Sequence, residues 1–301
     1  MTSIFRLAAA AALSIVAAAA PALANVCANV SFSVPSFPQF DPISGNYAAQ
    51  NITVNLTRID AQAASVRFIL LDNDAGTLKL ATAGPIYNIT NAAATIVFPT
   101  GTGILTVTGA LFVFSGTSAS GTLSFTIPNT TTDFVGGTSF SEALKYSLQC
   151  YKNTGGSGTG NQLTADTNVS AFTSAVTIAK QVTITTAGPQ TINFGNFTTT
   201  TQTLAIGVKS TSSINVSVTT TNGTQMVLSG AVSPFPTNST IPYTMTYAGT
   251  AVSSGSNLLN QVRAGVAGAT RNLVLTLPAL PSGKLAGTYS DTITLTLTPG
   301  V

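Results

Sequence analysis

The most constraining pattern in this sequence is a strict alternation close to its C-terminus. From Ser290 to Thr298 a Ser or Thr stands at every even position, while Ile293, Leu295 and Leu297 stand at odd positions. A period of two places one set of side chains on a core and the other in water, as in a half-buried β-strand. Unpaired strand edges are sticky, and natural proteins normally cover them. Since only residues 299–301 follow, we expect this strand to need a neighbour.

The composition extends this prediction to the whole chain. Short runs of Thr, Val, Ile and Phe, separated by Asn-Gly, Gly-Ser and Pro, are typical of an all-β protein. Charged residues make up only 6% of the chain, a composition that would also fit a disordered stalk, but the regular alternation favours a folded protein. The net charge of +3 is too weak a field to indicate binding to nucleic acid or to an anionic membrane.

The N-terminal residues 1–24 predict a signal peptide. Arg6 precedes an apolar run from Leu7 to Ala20, and Ala22-Leu23-Ala24 fits a cleavage site. The run is too short to span a bilayer, so an N-terminal membrane anchor is the less favoured alternative. We therefore expect export and a mature chain that begins at Asn25.

The two cysteines, Cys27 and Cys150, predict one disulfide, because an even count in an exported protein normally forms bridges. Closing so long a loop contributes about 4–5 kcal/mol on the chain-entropy account. A redox role is not expected, because the sequence contains no Cys-x-x-Cys.

An internal repeat predicts two domains of one fold. Motifs of the first half recur in the same order at an offset of about 150 residues. The matched pairs are Phe40–Gly45 with Phe194–Phe197, Pro85–Thr90 with Pro242–Thr246, Phe125–Pro128 with Leu275–Pro278, and Gly137–Cys150 with Gly287–Pro299 after one inserted residue.

The expected domains are residues 25–169 and 170–301, with a boundary near residue 170, within ten residues either way. The glycine-rich stretch from Lys152 to Gly160 is either a flexible joint or a long hairpin loop inside the first domain. In the second case, Val169 to Thr177 would supply the closing strand of that domain.

The sequence offers little for catalysis. It contains no His, which excludes Ser-His-Asp and Cys-His arrangements and imidazole ligands for zinc. We expect a non-enzymatic protein without cofactor or metal. The loop from Leu71 to Gly76 begins like a calcium loop, but Ala83 stands where that loop needs Glu. A hairpin turn is the favoured interpretation, and a weak calcium site is the alternative.

The alternating end also resembles a known family. Leu285 to Thr298, with its Gly-Thr-Tyr-Ser-Asp turn, resembles the closing strand of the spore coat U family, which includes pilus subunits of archaic chaperone–usher systems. The Phe-Gly turn in Thr191–Phe197, the strand Ser213–Gly223 and the Ile-Pro-Tyr strand at Ile241–Thr246 are similar as well. The first half is more distant, because Val34–Gly45 lacks the Gly and Tyr of the family's motif.

This resemblance implies two tandem immunoglobulin-like β-sandwiches of the pilin type, the C-terminal one lacking its last strand. In that family an extension of the next subunit fills the gap by strand addition. The residues that would line this groove are Leu204, Ile206 and Val208 on one wall and Ile293, Leu295 and Leu297 on the other. The alternative is that these six residues form the ordinary core of a complete sandwich.

After the expected cleavage, only Asn25 and Val26 would precede Cys27, so the chain would accept a strand without donating one. This arrangement resembles the two-domain tip adhesin of an archaic pilus, which mediates surface attachment and biofilm formation. The resemblance implies export through the periplasm to the fimbrial tip at the cell surface. The implied partners are a periplasmic chaperone, an outer-membrane usher, a neighbouring pilin subunit and an abiotic or host surface.

Surface binding by apolar loops of the first domain would involve seven residues: Ile96, Val97, Phe98, Leu111, Phe112, Val113 and Phe114. The alternative is that Phe112 and Phe114 alternate as buried strand residues. Two rival functions stay open, a surface-coat or stalk pilin subunit and a carbohydrate-binding or hydrolytic β-sandwich.

Overall fold

The all-β prediction is confirmed by a computed structural model of the protein. The described residues contain strands and two short 3₁₀ helices, at Thr159–Asn161 and Thr237–Ser239. The structure describes residues 27–73, 78–92, 94–99, 109–128, 132–197, 199–278 and 282–301. The predicted signal peptide lies outside these residues and stays a prediction. None of the helices within the described ranges has the length and apolar character needed to span a membrane.

The first half of the chain forms two sheets. One has the strand order β1-β2-β8-β4-β5, and the other has the order β10-β9-β3-β6, with β7 also paired to β3. The strands are β1 (Ala28–Ser33), β2 (Gln50–Arg58), β3 (Ser65–Asp72), β4 (Asn88–Asn91), β5 (Ala94–Thr95), β6 (Val97–Pro99), β7 (Ala110–Val113), β8 (Ser118–Thr126), β9 (Ser139–Tyr151) and β10 (Gln162–Thr177).

The alternation of polar and apolar residues determines which faces of these sheets meet. In β2, Ile52, Val54 and Leu56 are buried, and the Thr and Asn residues between them are less buried or exposed. They pack in one hydrophobic cluster with Phe68 of β3 and Leu148 of β9, which belong to the opposite sheet. The first half is therefore a β-sandwich with its core between the two sheets.

The second half repeats this arrangement. One sheet has the order β11-β12-β19-β16-β17, and the facing strands form two three-stranded sheets, β18-β13-β21 and β15-β14-β20. The strands are β11 (Val182–Ile184), β12 (Thr201–Ser210), β13 (Ile214–Thr220), β14 (Gln225–Leu228), β15 (Thr240–Pro242), β16 (Thr244–Tyr247), β17 (Thr250–Val252), β18 (Asn257–Gln261), β19 (Gly265–Thr276), β20 (Tyr289–Ser290) and β21 (Ile293–Pro299).

Each sandwich has its own hydrophobic core, one made of residues up to Ile178 and the other of residues from Val182 onward. The expected boundary between residues 169 and 170 falls inside β10. That strand pairs with β9 as far as Thr177 because the closing strand of the first sandwich continues past the expected boundary. We therefore place the boundary at residues 178–181 and call the two parts the N-terminal and C-terminal sandwiches.

The glycine-rich stretch is a hairpin loop between β9 and β10, which settles the two alternatives left by the sequence. The Ser65 hydroxyl donates to the carbonyl of Asn153 at 2.6 Å. The Arg67 guanidinium donates to the carbonyl of Gly156, and the Asn153 amide donates to the carbonyl of Ser157 at 2.9 Å. The first two bonds fasten the loop to β3, and the third lies within the loop itself. Beyond it, β10 pairs with β9 through three register shifts, so its hydrogen-bond ladder is irregular.

The predicted disulfide between Cys27 and Cys150 is confirmed. The two Cα atoms are 6.5 Å apart, and both residues are completely buried. The bridge joins the residue before β1, in one sheet, to β9 in the other. It therefore connects the two sheets of the N-terminal sandwich.

Replacing both cysteines by alanine should destabilise the N-terminal sandwich by about 4–5 kcal/mol, because the bridge closes a loop with a sequence separation of 123. Urea unfolding of the variant, compared with reduced and oxidised wild-type protein, measures this loss. A variant as stable as the oxidised protein would show that the bridge contributes nothing.

Candidate functional site

The alternating strand β21 lies at the edge of its sheet. It pairs antiparallel with β13 from Ile293 opposite Thr220 to Pro299 opposite Ile214. Within the described ranges, no strand pairs with its other edge. β11 comes close to β21 without pairing with it, so among the described residues the backbone N–H and C=O groups along that edge have no strand partner.

The internal repeat supplies a reference for this edge. Its alignment matches β21 to β9, which has β3 on one side and β10 on the other. Leu144 and Leu148 of β9 are 2% and 0% exposed, whereas the matched residues Ile293 and Leu297 are only half-buried. The C-terminal sandwich thus lacks, among its described residues, the cover that β10 gives to the N-terminal one.

The six predicted groove residues all belong to one apolar cluster. Ile206 and Val208 of β12 are buried in the C-terminal core. The other four, Leu204, Ile293, Leu295 and Leu297, are partly buried and pack against that core. Along β12, the neighbouring strand β11 pairs only with Val208 to Ser210. Leu204 therefore lies beyond the end of β11, on a stretch of β12 that pairs with β19 alone.

A single carboxylate fixes the start of β21. Asp291 Oδ1 accepts hydrogen bonds from the backbone N–H groups of Asn222 at 3.0 Å and Thr292 at 2.8 Å. Asp291 Oδ2 accepts one from the Tyr243 hydroxyl at 2.6 Å. Burial, together with the adjacent carboxylate of Asp291, raises the pKa of Tyr243 far above its usual range, so that this phenol stays a donor.

These contacts explain why three separate motifs occur in the C-terminal half. The Asn-Gly turn contributes Asn222, the Ile-Pro-Tyr strand contributes Tyr243 and the Gly-Thr-Tyr-Ser-Asp turn contributes Asp291. All three motifs are visible in the sequence, but the sequence does not show that they form one hydrogen-bond network. The signal was available, because Asp291 is the only acidic residue after Asp166 in the sequence.

An open cavity of about 350 Å³ lies next to the start of β21. Phe197 and Tyr289 form one part of its wall, with their ring centroids 6.2 Å apart. The Lys284 ammonium at its rim donates to the carbonyl of Thr237 at 2.6 Å. The remaining lining residues are Gly195, Asn196, Ile241, Leu285, Ala286 and Gly287. The cavity is therefore lined in part by the segment that leads into β21.

The predicted surface-binding residues of the N-terminal sandwich divide into two groups. Ile96, Val97 and Phe112 are 0%, 1% and 4% exposed, so they are core residues, and the expectation that they contact a surface is wrong for this conformation. Phe112 points inward because β7 alternates, and its ring lies over Gly121, where a Cβ would come within 2.6 Å. Phe98 and Phe114 are partly buried.

Leu111 and Val113, on the outer face of β7, are 39% and 46% exposed. Val113 pairs with Ser65, which in turn pairs with Tyr151 at the end of β9. The start of β9 adjoins Gly136, which contacts the C-terminal sandwich. Since β9 has 13 residues, these apolar side chains lie about 40 Å from that contact. Residues 100–108, which lie between β6 and β7 in the sequence, are outside the described ranges.

The structure also bears on the possible calcium loop. Asp72 is completely buried, and its carboxylate accepts a hydrogen bond of 2.5 Å from the Tyr87 hydroxyl. Asp74 lies outside the described residues. In the part of the chain that the structure describes, no three His, Cys, Asp or Glu residues lie close enough to hold a metal ion.

Comparison with known proteins gives matches among solved structures only. No protein-family model matches the chain, and no curated protein does. The chain is similar to the chaperone–tip adhesion subunit complex CsuC–CsuE from archaic chaperone–usher Csu pili of Acinetobacter baumannii, with 14% identity over 89% of this chain and 99% of that one and a TM-score of 0.42. It is also similar to the CupB6 tip adhesin of Pseudomonas aeruginosa, with 14% identity over 90% and 95% and a TM-score of 0.35.

A third similar structure is a chaperone–tip adhesin complex of CFA/I fimbriae, with 12% identity over 90% of this chain and 84% of that one and a TM-score of 0.32. The expected resemblance to tip adhesins of chaperone–usher pili is thus present among solved structures. With TM-scores below 0.5, these likenesses carry no part of the functional argument, which depends on the residues of this chain.

Replacing Asp291 by Asn should destabilise the C-terminal sandwich by about 1.5–3 kcal/mol, because the two backbone bonds lose their charged acceptor and the Tyr243 hydroxyl loses the oxygen that accepts its bond. Tyr243→Phe should cost about 1 kcal/mol, since Asp291 keeps its two backbone donors. Urea unfolding measures both changes. Asp60→Asn is the matched control, because its carboxylate accepts one backbone bond in an exposed turn of the other sandwich. Equal effects of Asp60→Asn and Asp291→Asn would contradict this role.

The same network predicts a response to alkaline pH. The folded-state pKa of Tyr243 is raised above its ordinary value of 10.0. The unfolded phenol therefore loses its proton first, so stability is complete below pH 10 and declines as the pH rises further. Tyr243→Phe should make this decline shallower, and thermal unfolding between pH 8 and about 11 checks the change.

Proposed function

We propose that this chain is a secreted, non-enzymatic subunit of an archaic chaperone–usher pilus, and that a strand from a neighbouring subunit joins it along the free edge of β21. One observation carries the proposal. Residues at matched positions of the repeat are fully buried under β10 in the N-terminal sandwich and half-buried beside the free edge in the C-terminal one.

A β-strand is the occupant that this edge fits. The free main-chain groups of β21 need donors and acceptors spaced as in another strand. The half-buried side chains of Ile293, Leu295 and Leu297 need apolar cover, which alternate residues of such a strand supply. In the N-terminal sandwich, β10 meets both needs by running antiparallel to β9. We expect the donated strand to lie against β21 in the same way.

The two sandwiches would have different tasks. The N-terminal one contains its own covering strand, so it has no equivalent joint, and this suits a subunit at the tip of a fibre. Its exposed Leu111 and Val113 lie at the end remote from the C-terminal sandwich. We propose that this end binds abiotic or host surfaces and supports biofilm formation, because apolar area buried there stabilises attachment.

The proposed pathway supplies the remaining partners. A periplasmic chaperone would cover the edge of β21 before assembly, and an outer-membrane usher would exchange it for the neighbouring subunit. The protein would then stand at the fimbrial tip on the cell surface. None of these steps requires a cofactor.

Strand binding can be tested on the full exported chain with a panel of alternating apolar peptides. One of them copies Val169–Ile178, because most of this segment belongs to β10, which pairs with β9 in the N-terminal sandwich. A peptide that binds only the folded protein should raise the melting temperature, since ligand at 100 times its Kd adds about 2.7 kcal/mol. Leu295→Glu should abolish the rise, because a charge would face the core. Thr296→Glu, its outward-facing neighbour, should retain the rise.

The proposal that a strand joins β21 would be wrong if no peptide in a varied panel raised the melting temperature or protected β21 from hydrogen exchange. An equal loss in both variants would show that the inward face of β21 is not the binding surface.

Surface attachment can be tested with the double variant Leu111→Ser and Val113→Ser. We expect weaker attachment to hydrophobic surfaces and less biofilm, because both side chains are exposed and their loss leaves the core intact. Val232→Ser with Leu259→Ser is the matched control, since these exposed apolar residues are on the C-terminal sandwich. Unchanged attachment by the β7 variant, or an equal loss in the control, would refute the proposed surface.

A further inference from the structure

The two sandwiches are connected by an ion pair as well as by the polypeptide. The Asp133 carboxylate, in the loop before β9, accepts two hydrogen bonds from the Arg263 guanidinium, at 2.6 and 2.8 Å. It also accepts the backbone N–H of Val266 at 3.0 Å. The same guanidinium donates to the carbonyl of Phe134 at 3.2 Å. A two-pronged geometry of this kind fixes orientation as well as distance.

A second set of bonds surrounds Thr211, which is completely buried. Its hydroxyl donates to the carbonyl of Ala179 at 2.6 Å and accepts the N–H of Gln181 at 2.8 Å. Its backbone N–H donates to the carbonyl of Gln181 at 3.0 Å, and its carbonyl accepts the N–H of Gly136 at 2.8 Å. The link between the sandwiches is therefore hydrogen-bonded to Thr211 on both sides of Lys180.

Two glycines allow the backbones to approach this closely. A Cβ on Gly136 would lie 2.8 Å from the Thr211 hydroxyl and 3.0 Å from the Cα of Lys180. Gly265 has a φ of +74°, and a Cβ there would lie 3.3 Å from both oxygens of Asp133. Any larger residue at Gly136 would push the sandwiches apart, and one at Gly265 would also be strained.

We propose that Asp133, Gly136, Thr211, Arg263 and Val266 form a clasp that holds the two sandwiches in one fixed orientation, so that the protein moves as a single rigid body. Domains joined by a short link move relative to one another by default unless their contact is extensive. Here the buried Thr211 hydroxyl opposes that motion, because rotation at the link would leave it without partners. The Asp133–Arg263 pair is partly exposed, so it contributes mainly by fixing orientation through its two-pronged geometry.

The clasp is independent of any partner, but its use rests on the proposed function. With surface-binding residues at one end of the molecule and the β21 edge on the other sandwich, a rigid connection would transmit a pull from the surface to the fibre. A flexible link would first extend and reorient. The experiments below measure rigidity alone, so their outcome is separate from that of the peptide and attachment tests.

Rigidity can be measured on the full chain with spin labels at Thr117→Cys and Thr250→Cys, which are exposed sites on the two sandwiches. We expect one narrow distance distribution for the parent protein, and a distribution broader by at least about twofold in Asp133→Asn, Arg263→Gln and Thr211→Val. Arg263→Lys should be intermediate, because lysine keeps the charge and loses the two-pronged geometry.

Arg271→Gln is the matched control. Its guanidinium donates to the carbonyl of Val262 within the C-terminal sandwich, so its loss should leave the distribution narrow. Hydrogen exchange in β9 and β12 at parental rates shows that each variant retains both folded sandwiches. A broad distribution in the parent protein, or clasp variants as narrow as the control, would overturn the proposal.

Hydrogen exchange of the unmodified protein gives a second test that needs no variant. The N–H groups of Gly136 and Val266 should exchange at least about tenfold more slowly than exposed loop amides, because both are bonded across the clasp. Exchange of these two amides at loop rates would overturn the clasp.

Discussion

Main-chain hydrogen bonding at sheet edges is the constraint on which this structure depends. A strand can leave one edge unpaired only if water, a cover or another chain satisfies it. In the N-terminal sandwich the second edge of β9 is paired internally, because the chain turns at the glycine-rich loop and returns as β10. The C-terminal sandwich repeats the same plan up to β21, whose second edge has no partner strand in the described ranges. The difference between two copies of one fold singles out the edge of β21 more directly than either copy alone.

The network around Asp291 fixes the start of β21. Any strand that is added to a sheet edge binds more tightly when the accepting strand is already ordered, since ordering it on binding would reduce affinity. Asp291 connects the start of β21 to the Asn222 turn and to Tyr243, which precedes β16. The buried Tyr243 phenol and the Asp291 carboxylate therefore serve to position the main chain at the start of β21.

The sequence predicted the strands and the two-sandwich plan, but it predicted fewer of the contacts between residues that are distant along the chain. Alternation in β21 and the repeat gave the all-β class and the two-sandwich plan, because period and order are local properties. Alternation in β7 did not reveal which face is buried, so the sequence left open whether Phe112 contacts a surface or the core; in the structure its ring packs over Gly121. The clasp left no signal, because Asp133 and Arg263 are separated by 130 residues and share no motif. The boundary was expected near residue 170 because the sequence does not show how far the closing strand extends. In the structure β10 continues to Thr177 alongside the 13-residue β9.

The three register shifts in β10 have a consequence for how copies of this protein meet. Each shift inserts unmatched residues and twists the strand locally, so donors and acceptors along its outer side lose their even spacing. A regular ladder cannot grow from such a side. The outer side of β10 is therefore a poor template for strand pairing, and crowded copies of the N-terminal sandwich would not aggregate sheet to sheet through this strand.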